Sequence, residues 1–256
     1  MNPSFQPALA AAQAAAGAQH YPAGALYVVA TPVGNLADIT LRALQVLGLV
    51  DAIACEDTRH TASLLQAYGL HKPLLAVHQH NEAEAAQGVV ARLQRGERVA
   101  YVSDAGTPGI SDPGARLCAA VRAAGLRSVP LPGASSLTAL VSVAGLAEHG
   151  AAPAFEFTGF LPAKGAEREQ ALRRLAQQPQ ACVLLEAPHR VAALARDLAA
   201  LGERPLTVGR ELTKQFEDIV TLRCDAWPAW LAADPHRSKG EFALVLHPVP
   251  ARAADG

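Results

Sequence analysis

Cysteine is scarce and scattered in this chain. Cys55, Cys118, Cys182 and Cys224 form no C-x-x-C pair, which excludes a disulfide framework and argues against a structural zinc site, so no metal is expected. Cys55 and Cys182 stand inside apolar runs and read as small buried hydrophobes. Long hydrophobic runs are missing too: none reaches the roughly 20 residues that span a bilayer, and no membrane association is expected. Nor is there an excess of either charge. With 22 basic and 23 acidic residues the net charge is −1, so a nucleic-acid partner has to be held by a local basic patch rather than by the field of the whole molecule. The signatures G-x-G-x-x-G and G-x-x-x-x-G-K-[ST] are both absent, which argues against a dinucleotide fold and a nucleotide triphosphatase.

What is present is globular: half of the 256 residues are apolar and under a fifth are charged, enough chain for one large domain or two smaller ones. The alanine stretch Ala8 to Ala16 has no basic flank and no core of Leu, Ile and Val. The first 24 residues therefore read as a disordered tail rather than a signal peptide, and a cytoplasmic location is expected. From Leu26 the pattern alternates. Strands are predicted at Leu26–Ala30, Ala52–Cys55, Leu74–Val77, Val99–Ser103 and Ser128–Leu131, with helices at Thr40–Leu49, Thr58–Tyr68, Glu82–Arg95, Pro113–Ala124 and Ser135–Val143. Single helices between strands imply crossovers and a mainly parallel sheet, whose ligands bind beyond the carboxyl ends of the strands. That rule selects four loops: Thr31 to Asp38, Glu56 to Thr58, Asp104 to Pro113 and Pro132 to Ser136. Glu148 to Pro153 breaks the pattern and is the candidate linker. Beyond it, five strands and three helices between Phe155 and Leu246 suggest a second α/β unit with some antiparallel pairing.

The segment from Ser103 to Gly114 is the strongest candidate site. At twelve residues it exceeds the roughly two to six of an ordinary strand-to-helix loop. Gly106 and Gly109 admit a ligand close to the backbone, Asp104 accepts from an amine or hydroxyl, and Asp112 suits the N-cap of a helix opening at Pro113. Ser135 and Ser136 open a helix whose free N–H groups attract anions, or else Ser135 simply caps it. Glu56-Asp57-Thr58-Arg59 has two readings. It is either an acid/base carboxylate with a guanidinium for phosphate, or a pair of carboxylates facing a helix dipole with Thr58 as the cap. His78 to Glu82 reads as polar packing or substrate contact, since a third metal ligand is not evident. In the second half, Arg173 and Arg174 read as solvated helix face. Arg190, Arg210 and Lys214 follow strands, where contact with a nucleic-acid backbone is more credible.

Taken together, these segments resemble the RsmI family, the 16S ribosomal RNA cytidine 2′-O-methyltransferases of the tetrapyrrole-methylase superfamily. The resemblance is carried by Leu26-Tyr-Val-Val-Ala-Thr-Pro-Val-Gly-Asn-Leu36, Cys55-Glu-Asp-Thr-Arg59, His80-Asn-Glu82, Ser103 through Gly114 and Pro132-Gly-Ala-Ser135. It continues in Gly159-Phe-Leu-Pro162, Glu186-Ala-Pro-His-Arg190, Gly209-Arg-Glu-Leu-Thr-Lys214 and Lys239-Gly-Glu-Phe242. These run in order from about residue 25 to 247. Two stretches depart from the family's pattern: Ala163 to Arg168 is less basic, and Gly145 to Phe155 is longer and richer in alanine.

The resemblance implies a two-domain tetrapyrrole-methylase-like (class III methyltransferase) α/β fold, with a mainly parallel N-terminal sheet over 25–147 and a mixed C-terminal sheet over 153–248. It implies S-adenosylmethionine as cofactor, 16S ribosomal RNA or the small ribosomal subunit as partner, and a homodimer. Carried over by residue, the cofactor lies along Pro32, Gly34, Asp104, Gly106, Thr107, Pro108, Ser135 and Ser136, with Glu186, Gly209 and Gly240 closing on it. The RNA is expected on Lys164, Arg168, Arg190, Arg210 and Lys214, and Glu56 or Asp57 as the base, with Arg59 on an adjacent phosphate. The rival readings are a methylase of a small substrate sharing the same cofactor loops, and a non-catalytic RNA-binding factor that keeps the fold.

Overall fold

The computed structural model describes residues 5–78, 82–112, 114–146 and 154–249. The chain divides into two compact units, residues 1–135 and 136–256.

The first unit is built on a five-stranded sheet of β1 (Ala25–Val29), β2 (Ala52–Cys55), β3 (Leu74–Ala76), β4 (Val99–Val102) and β5 (Arg127–Leu131). Its order is β3-β2-β4-β1-β5, and every pairing is parallel. Four helices supply the crossovers: α2 (Leu41–Leu49), α3 (Thr58–Ala67), α4 (Glu82–Gln94) and α5 (Ala115–Ala123). Both faces of the sheet are therefore buried, as the continuous apolar strands require. Alternation along each strand divides the core. Tyr27, Val29, Ile53, Cys55, Ala100 and Val102 face α2 and α3, while Leu26, Ala54, Val99 and Tyr101 face α4 and α5. The element boundaries agree with the sequence reading to within one or two residues.

Two expectations fail in this unit. Residues 6–16 are not a disordered tail. Gln6–Ala16 forms α1, with Ala12 and Ala16 buried and Ala12 packed beside Leu44 and Tyr68. Alanine lets the helix axis approach closely where a larger side chain would hold it off, and the ring of Phe5 meets that of Tyr68 edge-on at 5.3 Å. The cap of α5 also differs: Gly114, not Asp112, is the N-cap, and it has no side chain to offer. Pro113, expected in the first turn, lies outside the described residues.

The second unit holds a mixed sheet of β6 (Phe155–Gly159), β7 (Ala181–Glu186), β8 (Pro205–Arg210), β9 (Asp218–Arg223) and β10 (Phe242–Leu246), in the order β6-β7-β10-β8-β9. Only the β6–β7 pair is parallel. The helices are α6 (Ser136–Val143), α7 (Gly165–Gln177), α8 (Pro188–Ala199) and α9 (Trp227–Ala232). Helix α6 belongs here rather than with the first unit, because Leu140 packs with Ala181, Val183, Ala243 and Val245. The unit boundary therefore precedes α6 instead of falling after it. The candidate linker, Glu148 to Pro153, lies outside the described residues. Arg204 is buried yet satisfied: its guanidinium donates to the carbonyls of Leu175, Gln178 and His247 at 2.9, 3.0 and 2.7 Å, tying the end of α7 to the end of β10.

Candidate active site

The carboxyl ends of β1, β2, β4 and β5 bring the four loops of the first unit to one side of the parallel sheet, and hydrogen bonds stitch them together. Thr31 and Gly106 exchange backbone bonds of 2.9 and 3.0 Å, joining the loop after β1 to the loop after β4. Gly106 has φ +80°, a conformation that disfavours any side chain there. The Thr107 hydroxyl donates to the Ala134 carbonyl at 3.0 Å, drawing in the loop after β5. The Asp57 N–H donates to Asp104 Oδ1 at 3.2 Å, drawing in the loop after β2. Pro32 and Pro108 are buried beneath this surface, Gly34 is exposed, and Ser135 is half-buried.

Four carboxylates converge here, and their electrostatics separate them. Burial pushes Glu56 above its ordinary value, and the negative charges of Asp104, Asp112 and Asp57 add to the effect. Asp112 is raised as well, by burial and then by Asp104, while a hydrogen bond with Ser103 opposes the shift. Asp57 moves the other way. Its Oδ1 caps α3, accepting from the N–H groups of Arg59 and His60 at 2.7 and 3.3 Å, and those bonds hold its carboxyl below the usual range. The cap of α3 is thus Asp57 and not Thr58. The Arg59 guanidinium is exposed and makes no hydrogen bond among the described residues.

A residue that sequence reasoning missed sets the far end of the Ser103–Gly114 loop. Glu82, 6% exposed, accepts at one oxygen from the N–H groups of Gly114, Arg116 and Leu117 at 2.9, 3.0 and 3.3 Å. Read as a sequence, His78 to Glu82 suggests polar packing or substrate contact. The structure makes Glu82 the missing cap of α5, delivered from the start of α4. Residues 79–81 lie outside the described residues.

In the second unit the expected site residues divide. Glu186 is buried at the end of β7. Its Oε1 accepts from the Ala187 N–H at 2.9 Å and pairs with Arg190 Nε at 3.0 Å, whereas its Oε2 is buried with no partner among the described residues. That oxygen is an acceptor in want of a donor. Gly209 and Gly240 have packing reasons of their own. A Cβ at Gly209 would lie 2.7 Å from Leu140 Cδ1, and one at Gly240 (φ +88°) would lie 2.5 Å from the Glu211 carboxyl group. Ser136 opens α6.

Most of the cations expected to hold RNA are spoken for. Arg168 pairs with Asp197 at 2.6 Å and donates to the Pro162 carbonyl. Arg190 bonds Glu186 and the Leu161 carbonyl. Arg210 donates to the carbonyls of Phe216 and Lys239. Lys214 bridges Glu211 and Glu241 at 2.8 and 2.9 Å. Each of these four has folded-state partners. Lys164 alone stays exposed, at the N-cap of α7. The loop after β8 is strained, with non-glycine residues Glu211 and Thr213 at φ +52° and +68°, and it exposes Phe216 to 70%.

Residues 25–226 match the family model of the tetrapyrrole (corrin/porphyrin) methylases. The ribosomal RNA small subunit methyltransferase I of Neisseria meningitidis serogroup A is 47% identical over 234 residues, covering 91% of this chain and 79% of that protein. The chain belongs to this methylase family. Its likeness to the protein of the same name from Pseudomonas aeruginosa is 45% over 226 residues, 88% of this chain and 79% of the relative. Among solved structures, uroporphyrin-III-C-methyltransferase from Thermus thermophilus superposes with a TM-score of 0.59 at 22% identity, over 87% of this chain and 94% of that one. Diphthine synthase superposes at 0.65 and 13%, over 87% and 90%. Both show that the methylase fold extends over this chain. Among the described residues no cluster of His, Cys, Asp or Glu could hold a metal ion, and no helix is long and apolar enough to cross a membrane.

Proposed function

We propose that this protein transfers the methyl group of S-adenosylmethionine to a cytidine ribose 2′-hydroxyl in the 16S RNA of the small ribosomal subunit. The observation that carries this reading is the likeness to proteins named ribosomal RNA small subunit methyltransferase I, 44–47% identical over about nine-tenths of the chain. The site agrees with it. A related fold, the Thermus thermophilus uroporphyrin-III C-methyltransferase, has been crystallised with S-adenosyl homocysteine. Residues of the first unit fit such a group: Gly106, at positive φ, lets two loops meet without a side chain between them, and Asp104 offers an acceptor. Pro32, Gly34, Asp104, Gly106, Thr107, Pro108 and Ser135 would hold it.

When bound, the cofactor supplies a sulfonium methyl already activated for displacement. What remains for the chain is to place the hydroxyl in line and to receive its proton. Glu56 is the residue for the second task, because its environment raises its basicity while Asp57 is committed to its cap. Arg59 is free to hold an adjacent phosphate. The protein acts in the cytoplasm, where small subunits are made, and as a homodimer.

Labelled S-adenosylmethionine, offered with small subunits from a strain lacking this gene, is expected to yield 2′-O-methylcytidine on nucleoside analysis. Cofactor binding without any transfer to the subunits would sink the RNA reading in favour of a small-molecule methylase.

A further inference from the structure

We propose that a basic cleft on the flank of the first unit grips an RNA backbone phosphate, at a place lined by none of the candidate active-site residues. The inference rests on the RNA reading above. The cleft encloses about 150 Å³ beside the edge strand β5. Arg42 from the first turn of α2, Arg127 from β5, His20 and Tyr27 line it. Among the described residues no carboxylate does. In a chain whose net charge is −1, two guanidinium groups in one concavity without a counter-charge form the kind of local patch that the whole-molecule field does not supply.

Three further observations narrow the occupant. First, both arginines are exposed, and neither guanidinium has an ion pair or hydrogen bond among the described residues. Four of the five cations expected to hold RNA are, by contrast, consumed inside the protein. Second, α2 has no acidic residue in its first turn and carries Arg42 there, so the positive end of the helix is reinforced rather than offset. Third, the volume lies below the roughly 300–1,000 Å³ of pockets that enclose whole small molecules. It suits a single phosphate of a longer chain. The far wall is fixed: Tyr27 donates to the Pro22 carbonyl at 2.8 Å, Arg98 Nε to the Tyr21 carbonyl at 3.1 Å, and Tyr21 to the Ala16 carbonyl at 2.9 Å. Arginine forks on two elements across such a wall match phosphodiester oxygens.

The test is equilibrium binding of a small-subunit RNA fragment by the wild type and by R42A/R127A, across a salt series. The double variant is expected to bind about tenfold more weakly at low salt. Its plot of log affinity against log salt should be shallower by about 0.7, the slope of one single-strand phosphate that is no longer neutralised. The methylation rate at saturating RNA should be unchanged, because neither residue touches the reacting atoms. R42K/R127K, which keeps the charge, should restore most of the slope. Equal affinity and equal slope for the wild type and R42A/R127A would overturn the proposal. A wild type that binds no RNA would show that the functional reading itself has failed. In that case, arginine Nε resonances of Arg42 and Arg127 that move with inorganic phosphate alone would mark a small-anion site and overturn the assignment to RNA.

Discussion

Glu56→Gln is expected to lower the methyl-transfer rate at least about 100-fold while leaving the KM for RNA within about threefold. The lower figure is the floor of what a positioned general base contributes. Glutamine keeps the shape and one acceptor oxygen of Glu56 but cannot take a proton. The pH profile gives a sharper signature. Glu56 works when ionised, and burial, followed by its acidic neighbours, raises its pKa. Activity therefore falls as the pH drops through a value above that of an ordinary glutamate. Asp112→Asn removes one of the charges that raise Glu56, so it should move this acid limb to lower pH with the plateau rate retained. Asp57→Ala should behave differently, lowering stability through removal of the cap and slowing the reaction far less than Glu56→Gln. If Glu56→Gln turns over at the wild-type rate, Glu56 is not the base.

Glu82→Ala should destabilise the first unit by about 3 kcal/mol in denaturant unfolding. One buried carboxylate oxygen serves three N–H groups at the start of α5, and its removal leaves the buried amides of Gly114 and Leu117 without an acceptor. Loss of an ordinary cap costs about 1 kcal/mol, and bonds to a charged acceptor contribute about 1.5–3 each. The neighbourhood cannot collapse to compensate, because a Cβ at Gly114 would already lie 2.3 Å from the Tyr101 ring. Glu82→Gln keeps an acceptor oxygen and should recover more than half of the loss. Cofactor affinity should fall in the alanine variant as well, since Glu82 anchors the exit of the loop that carries Asp104, Gly106 and Thr107. An unfolding curve for Glu82→Ala that overlays the wild type would show that water replaces the carboxylate without cost.

These two residues also mark where the sequence was legible. Strand and helix positions follow from local apolar periodicity, and the parallel sheet follows from their alternation. The four loops could be chosen because a parallel sheet has only one end at which βα loops gather. What could not be read was pairing at a distance. Glu82 reaches 32 residues ahead to cap α5, and Arg168 finds Asp197 29 residues on; nothing in the local pattern marks either partner. Charge at a strand end therefore gave no sign of the internal partners that these cations have in the fold. The alanine stretch failed for another reason. A helix that docks by close approach of small residues carries little hydrophobic signal, and Ala12 and Ala16 look like filler until the neighbouring α2 is in place. Gly209 is the converse case, a glycine in a family motif that the packing of Leu140 is enough to explain.

The strand order β3-β2-β4-β1-β5 sets a condition on how the protein is made. Strand β1 leaves the ribosome first, yet its two neighbours are β4 and β5, the last strands of the same sheet. The segment Ala25–Val29 has no partner until Val99–Val102 and Arg127–Leu131 have been synthesised. At about 5–20 residues per second, that is a wait of roughly 5–20 seconds. For that interval Ala-Leu-Tyr-Val-Val is an unpaired apolar strand on a nascent chain, with the composition that chaperone holdases and aggregation both select. Synonymous changes that slow translation between β2 and β4 would lengthen the exposure without altering a single residue.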